Sequence, residues 1–340
     1  MKRARLYEKI EKGDGSTIQV RCRLCSHRCT LDNRQTGICK VRKNIDGELY
    51  SLNYDNVAAT HMDPIEKKPL YHFLPGSQSF SIAAMGCNFR CKFCQNYRLS
   101  QVSNESHIQG EAISPRQLVE AALRYSAESI SYTYSEPTIY YELMFETAQI
   151  AKEKGIKNVM VTNGYMSGEA LSEIAPYIDA ANIDLKSFSD DFYKKYCGGR
   201  LQPVLDTIKG MKEKGIWIEL TTLLIPGLND NPDEIKKLIA FIVEVDRNIP
   251  WHVSRFFPQH RLTDLPPTNP AGIFSCLEMA AEMGLKYLYA GNVNSDNWEN
   301  TRCPQCSQVL IHRRGYYTQL SHFSGGNCES CGHSIAGTWK

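Results

Sequence analysis

The sequence has no apolar run approaching the roughly 20 residues that a membrane-spanning helix needs, which argues against an integral helical membrane protein. It also lacks an export signal: the start, MKRARLYEKIEKGDGS, carries basic residues with no apolar stretch or small-residue cleavage site behind them, and a cytoplasmic location is expected. There is no excess of either charge. Lys plus Arg is 39 against 37 for Asp plus Glu, and a net charge of +2 gives no general electrostatic case for nucleic acid or an anionic membrane. No solenoid repeat and no low-complexity tract is present. With 42% hydrophobic and 22% charged residues among 340, the composition is that of a globular protein with a sizeable core.

Cysteine, by contrast, is abundant, with 13 in the chain. Most fall in clusters: Cys22, Cys25, Cys29 and Cys39; Cys87, Cys91 and Cys94; and Cys303, Cys306, Cys328 and Cys331, with Cys197 and Cys276 left over. Without an export signal, such spacing favours metal ligation over disulfides. Between the cysteine-rich ends, residues from about 79 to 291 alternate short apolar runs with helical patterns, as in SFSIAAM, ISPRQLVEAALRYS, SISYTYSEP, KNVMVTNG, AANIDLKS and IWIELTTLLIPG. This order predicts a parallel α/β sheet with outer helices, a partial (β/α)6 barrel whose chemistry lies at the C-terminal strand ends. Three parts are expected: an N-terminal four-cysteine metal-binding domain over 1–78, a core over 79–293 and a C-terminal zinc-ribbon-like segment over 294–340. The stretches 61–78 and 294–301 read as linkers.

GCNFRCKFCQNY follows the first core strand. Thiolates from Cys87, Cys91 and Cys94 suit three irons of a [4Fe–4S] cube, leaving the fourth iron open to a reactant. Zinc with a fourth ligand is the plainer alternative. With the aromatic Phe93 before the third cysteine, the motif resembles that of the radical S-adenosylmethionine enzymes. The resemblance implies that the open iron chelates the amino and carboxylate groups of S-adenosylmethionine. One electron then cleaves its S–C5′ bond, giving methionine and a 5′-deoxyadenosyl radical that takes a substrate hydrogen. TYSEP stands where that superfamily has a GGE-type motif, without either glycine, which implies that Glu136 and the backbone at Tyr134 and Ser135 meet the methionine ammonium. VTNG puts Asn163 at a strand end. DLKS resembles the pyruvate formate-lyase activating branch, and so implies that Asp184 and Lys186 lie around S-adenosylmethionine, against the alternative of a solvated pair. LLIPG resembles a segment flanking adenine, so Leu224, Ile225 and Pro226 are adenosine candidates or plain core. Arg255 is a candidate anchor for substrate or cofactor, with His252, His260 and Asn292 as further polar candidates.

RCRLCSHRC, TGICKVR, GCNFRCKFCQNY, YTYSEPTIYYE, VTNGY, DLKSF, LLIPGLND, PWHVSRFFP, AGNV and CPQC together resemble the AmmeMemoRadiSam-system radical SAM enzymes from Cys22 to Cys306. That implies association with Memo-like and AMMECR-like proteins and names no substrate. The first quartet reads as zinc, with a second [4Fe–4S] cluster as its rival; the C-terminal C-x2-C-x21-C-x2-C reads as zinc. Cys276 reads as a buried helix residue and Cys197 as a loop thiol. The expected function is reductive cleavage of S-adenosylmethionine and hydrogen abstraction, fed by a reductant such as flavodoxin or ferredoxin. The substrate is a small molecule or, as an alternative, a partner protein activated in glycyl-radical fashion. The cysteine-bearing ends could dock such a partner or cap the barrel mouth. A zinc-ribbon nucleic-acid binder is a third class, disfavoured by the lack of basic excess.

Overall fold

A computed structural model describes residues 1–11, 18–295 and 297–339, so Asp296 of the expected 294–301 linker lies outside the described residues. The central sheet opens with β1 (Asn56–Pro64), which runs antiparallel to β2 (Gln78–Ala84). From β2 onward neighbours are parallel: β3 (Ser129–Tyr132), β4 (Lys157–Thr162), β5 (Ala180–Asp184), β6 (Trp217–Leu224), β7 (Trp251–Arg255) and β8 (Leu288–Gly291). The crossovers run through α1 (Pro115–Arg124), α2 (Tyr141–Glu153), α3 (Gly168–Ile174), α4 (Gln202–Glu213), α5 (Pro232–Asp246) and α6 (Pro270–Glu282). The strands lie side by side in chain order in a 9-stranded sheet, whose last member is the short strand Glu111–Ala112 beside β1. Its two edges do not pair with each other among the described residues. The expected α/β fold with six crossovers is therefore present, extended by a further parallel strand and by β1.

Local chemistry sets these elements. Ser114 and Gln117 form a reciprocal cap at the start of α1, with Pro115 in its first turn. Asn231 and Asn269 cap α5 and α6 by accepting from backbone N–H groups of the first turn, each directly before a proline. Along β2 and β3 the pleat sends Phe80, Ile82, Ile130 and Tyr132 to the helix side. Ser79, Ser81, Ser129 and Ser131 face inward, Ser79 meeting Ser131 at 2.6 Å and Ser129 at 2.9 Å.

The stretch 61–78 does not behave as a linker. Its prolines and Gly76 look like turn chemistry, but Met62–Pro64 belong to β1, and the apolar residues beyond them find the barrel interior. Ile65, Leu70, Phe73 and Leu74 cluster with Val159, Ala180 and Trp217. Asn182 donates to Pro69 O at 2.8 Å, and Glu219 accepts from Tyr71 N at 3.0 Å, His72 N at 2.7 Å and His252 Nε2 at 2.7 Å. This segment plugs the end of the barrel opposite the cysteine loop.

The C-terminal ribbon, built on the strands Thr301–Arg302, Val309–Arg314 and Tyr317–Leu320, packs against the plug and β8, away from the barrel mouth. It therefore does not cap that mouth. A buried hydrogen-bond chain locks it down. Arg313 Nη1 donates to Thr301 Oγ1 at 2.8 Å, Thr301 meets Tyr289 Oη at 2.7 Å, and Tyr289 meets His72 Nε2 at 2.6 Å. Because the Ala336 carbonyl, 2.7 Å from His72 Nδ1, can only accept, Nδ1 carries a proton.

Burial pushes His72 down from 6.5 to about 4. Between those values the unfolded chain binds a proton that the folded chain refuses. Stability therefore falls as pH drops through this window, by about 1.4 kcal/mol per pH unit from this group, and is unaffected by it above the window. Thermal unfolding followed from pH 7 to pH 4 should show a shallower loss in His72→Gln than in the wild type, and parallel curves would contradict this account of the plug.

Candidate functional site

The loop Cys87–Cys94 leaves the C-terminal end of β2 and is tied on several sides. Arg90 N donates to Cys197 O at 2.7 Å, Lys92 N to Tyr196 O at 2.9 Å, and Arg261 N to Lys92 O at 2.9 Å. Gly199 allows the close approach of one strap, since a Cβ there would sit 2.3 Å from the Phe89 ring. Within the loop, Phe89 N donates to Cys87 Sγ at 3.3 Å, Cys94 Sγ lies 3.1 Å from Ser100 Oγ, and Asn163 Nδ2 lies 3.7 Å from Cys87 Sγ.

The electrostatics around the three sulfurs differ. A hydrogen bond from Cys197 holds the Cys91 thiol below its ordinary range, and Lys186 works in the same direction against burial. Burial pushes the Cys87 thiol well up, with Glu136 and Cys91 adding to the effect. A buried thiol of this kind is deprotonated by coordination to a metal rather than by water. Cys197, read from sequence as a loop thiol, is fully buried at the end of the turn Tyr193–Cys197. Its one sequence signal was the following Gly198–Gly199 pair, the mark of a close backbone approach.

The structure brings some of the expected residues to this loop and not others. Lys186 Nζ holds Asp184 Oδ2 at 2.7 Å and lies 5.9 Å from the Phe93 ring, placing the pair beside the cysteines. Asn163 also donates to Asn88 Oδ1 at 2.7 Å. Glu136, which the resemblance implies meets the methionine ammonium, stands at the end of the β3 segment. It is 1% exposed, and its carboxylate accepts from Thr138 N at 3.0 Å, Thr138 Oγ1 at 2.6 Å, Thr162 Oγ1 at 2.7 Å and Asn163 N at 2.8 Å, bracing two strand ends. Ser135 Oγ donates to Ala84 O at 2.5 Å. Tyr134, with φ of 65°, points back along the inner face and bonds Asp63, beside Lys68.

The alternation of β6 turns Trp217, Glu219, Thr221 and Leu223 to the inner face, while Ile225, just past the end of the strand, is fully buried in the core. Arg255 donates from Nε to Thr268 O at 2.8 Å and sits over the Phe257 ring, on the opposite parity of β7 from His252. His252 lies deep in the barrel on Glu219, away from the mouth. His260 stacks on Tyr97 at 4.7 Å, and Asn292 takes a left-handed φ of 58° after β8.

Cys22, Cys25, Cys29 and Cys39 line one cavity with His27, Arg42 and Asn88. At the other end of the molecule, Cys303 Sγ lies 3.6 Å from Cys331 Sγ and Cys306 Sγ 3.6 Å from Cys328 Sγ, and all four sulfurs lie within 4.8 Å of one another, a group that could hold a metal ion.

Residues 82–242 match the Radical SAM superfamily. The uncharacterized protein MJ0808 of Methanocaldococcus jannaschii is 44% identical over 338 residues, spanning 98% of this chain and 99% of that protein. The chain belongs to the radical SAM superfamily. A pyruvate formate-lyase-activating enzyme of Clostridium pasteurianum is 26% identical over 170 residues, 48% of this chain and 68% of that enzyme. The crystal structure of a radical SAM methyltransferase from Sphaerobacter thermophilus matches with a TM-score of 0.50 at 14% identity, over 83% of this chain and 75% of that one, which shows a shared fold. Members of the superfamily are enzymes of radical chemistry, and membership implies a [4Fe–4S] cluster and S-adenosylmethionine. The donor set fits that cluster: three thiolates in one strapped loop, with a thiol donor and a lysine beside one of them. No helix among the described residues is long and apolar enough to cross a membrane.

Hydrogen bonds to cluster sulfurs favour the more negative reduced state. Cys197→Ala should therefore shift the central cluster to a more negative reduction potential in an EPR-monitored titration, with iron content unchanged. An unmoved potential would reduce Cys197 to a packing residue.

Proposed function

We propose that Cys87, Cys91 and Cys94 hold a [4Fe–4S] cube with one open iron, and that the chain uses S-adenosylmethionine bound there to abstract hydrogen from its substrate. The observation that carries this reading is the strapped cysteine loop at the C-terminal end of a parallel sheet, with Cys197 and Lys186 against Cys91. When bound, the cube supplies one electron to the sulfonium of S-adenosylmethionine, yielding methionine and the 5′-deoxyadenosyl radical. The protein's part is positioning. Glu136 fixes the TYSEP and VTNG strand ends, Asn163 reaches from there to Cys87, and the Asp184–Lys186 pair offers charges of both signs to an amino-acid ligand. Leu223 and the serine-lined inner face supply the wall towards the substrate.

The likeness to a pyruvate formate-lyase-activating enzyme supports a second reading, in which the hydrogen is taken from a partner protein. The motifs from Cys22 to Cys306 support kinship with the AmmeMemoRadiSam-system enzymes, and through it Memo-like and AMMECR-like partners. At the C-terminal quartet the sulfur spacing suits zinc, whose bonds of about 2.3 Å to four thiolates set the sulfurs roughly 3.8 Å apart.

Anaerobically prepared protein should show a reduced-cluster EPR signal that changes on adding S-adenosylmethionine and is lost in C87A/C91A/C94A. The absence of any S-adenosylmethionine-responsive component in the wild-type signal would overturn the assignment. Removing the charge in Asp184→Asn should weaken S-adenosylmethionine binding about 10- to 100-fold, the equivalent of about 1.5–3 kcal/mol for a charged hydrogen bond, with iron content near normal. Equal affinity by titration calorimetry would return Asp184 to a surface partner of Lys186. Cys306→Ser should lower zinc by about one ion per chain and destabilise the ribbon, while leaving the EPR response intact.

A further inference from the structure

The N-terminal quartet is separate from the central cysteines in sequence but adjoins them in space. Gly86, directly before Cys87, has φ of 111°, and a Cβ on it would meet Val41 Cγ1 at 2.8 Å and Cys39 O at 3.3 Å. Only glycine lets the two cysteine sites come this close. His27 Nε2 lies 2.7 Å from Asn88 O, while Asn88 Oδ1 accepts from Asn163, the residue that also reaches Cys87. Asn88 therefore forms part of the partition between the sites, and a cleft lined by Cys39, Ile38, Arg90 and Cys87 runs along it.

Two observations bear on what the quartet holds. The first is size. Among the described residues, the group of three or more His, Cys, Asp or Glu whose ligand atoms all lie within 4.8 Å of one another is the C-terminal quartet. The N-terminal four share a cavity but are not drawn to that spacing, and neither are Cys87, Cys91 and Cys94. Zinc draws four thiolates onto one atom, whereas a cube takes each thiolate on a different iron and keeps the sulfurs well apart. The chain thus contains a tight site and two wide ones.

The second is a set of unmet donors. Arg42 lines the quartet's cavity with a side chain only 2% exposed. Its Nη2 holds Glu142 at 2.6 and 2.8 Å, but Nε and Nη1 have no hydrogen-bond partner. Asn88 Nδ2, from the same lining, has none either. A buried donor left unmade costs about 1–3 kcal/mol. A zinc tetrahedron offers acceptors only at its four thiolates. An iron–sulfur cube adds the bridging sulfides between them, so it can meet donors arriving between the cysteines, and the fixed positive charge of Arg42 offsets part of the thiolate charge.

We propose that Cys22, Cys25, Cys29 and Cys39 hold a second [4Fe–4S] cluster rather than zinc, with Arg42 and Asn88 as its hydrogen-bond donors and Gly86 and Asn88 as the wall it shares with the first. The claim concerns the N-terminal quartet alone and is tested without relying on the central one.

The full chain, purified anaerobically from cells supplied with both iron and zinc, is analysed for metal and sulfide. C87A/C91A/C94A should retain about four Fe, about four sulfides and about one Zn per chain, with a reduced-state EPR signal that ignores S-adenosylmethionine. About two Zn and no Fe in that variant would overturn the proposal. If the triple variant does not fold, C22S/C25S on the otherwise intact chain decides. It should lose about half of roughly eight Fe, keep its zinc and keep the S-adenosylmethionine-responsive signal; loss of one of two Zn with iron unchanged would overturn the proposal. Failure of the central assignment alone reads differently: wild type would hold about four Fe, removed by C22S/C25S and kept by C87A/C91A/C94A.

Discussion

The mouth of this barrel depends on keeping one short loop, Cys87–Cys94, rigid enough to present three sulfurs at fixed positions. A loop of this length has little core of its own, so its rigidity is borrowed. Backbone donors at Arg90 and Lys92 are tied to the turn ending at Cys197, and the Lys92 carbonyl is tied to Arg261. Each such bond adds only about 1 kcal/mol net, but together they fix the loop from two other strand ends. Ordering the loop before any metal binds reduces the entropy that ligation must otherwise overcome.

The two ends of the barrel are built differently. At the C-terminal end, glycine at 86 and 199 removes side-chain bulk so that separate segments close over the sulfurs. At the other end, the plug and the ribbon fill the interior with apolar side chains and a continuous hydrogen-bond chain from Arg313 through Thr301, Tyr289 and His72 to Ala336. The buried Arg42–Glu142 pair joins the N-terminal module to α2, and removing one partner of such a pair typically costs about 3–5 kcal/mol.

Much of this was legible in the sequence for physical reasons. The βα alternation survives because each strand is a short apolar run and several helices carry their own side-chain caps, as at Ser114 and Asn231. The cysteine clusters stood out because thiolate ligation needs fixed local spacing. What the sequence concealed is what tertiary contact alone decides. Residues 61–78 carry turn formers, and nothing local shows that Ile65, Leu70 and Phe73 lie inside the barrel. Glu136 could be placed at a strand end from the sequence, but not its bonds to Thr138, Thr162 and Asn163. Leu223 and Ile225 look equivalent in LLIPG, but β6 ends at Leu224, leaving Leu223 half-buried on the inner face and Ile225 fully buried just beyond the strand. Arg42 and Asn88 carry no motif, and their unmet donors are visible only beside the quartet.

The central claim is that three thiolates on this loop make S-adenosylmethionine reductively cleavable. Product analysis after anaerobic incubation with S-adenosylmethionine and a low-potential reductant tests it most directly. The account predicts methionine and 5′-deoxyadenosine in equal amounts from the wild-type chain and neither above background from Cys91→Ala. Equal yields from both proteins, or no 5′-deoxyadenosine from wild-type chain carrying its full iron, would contradict it.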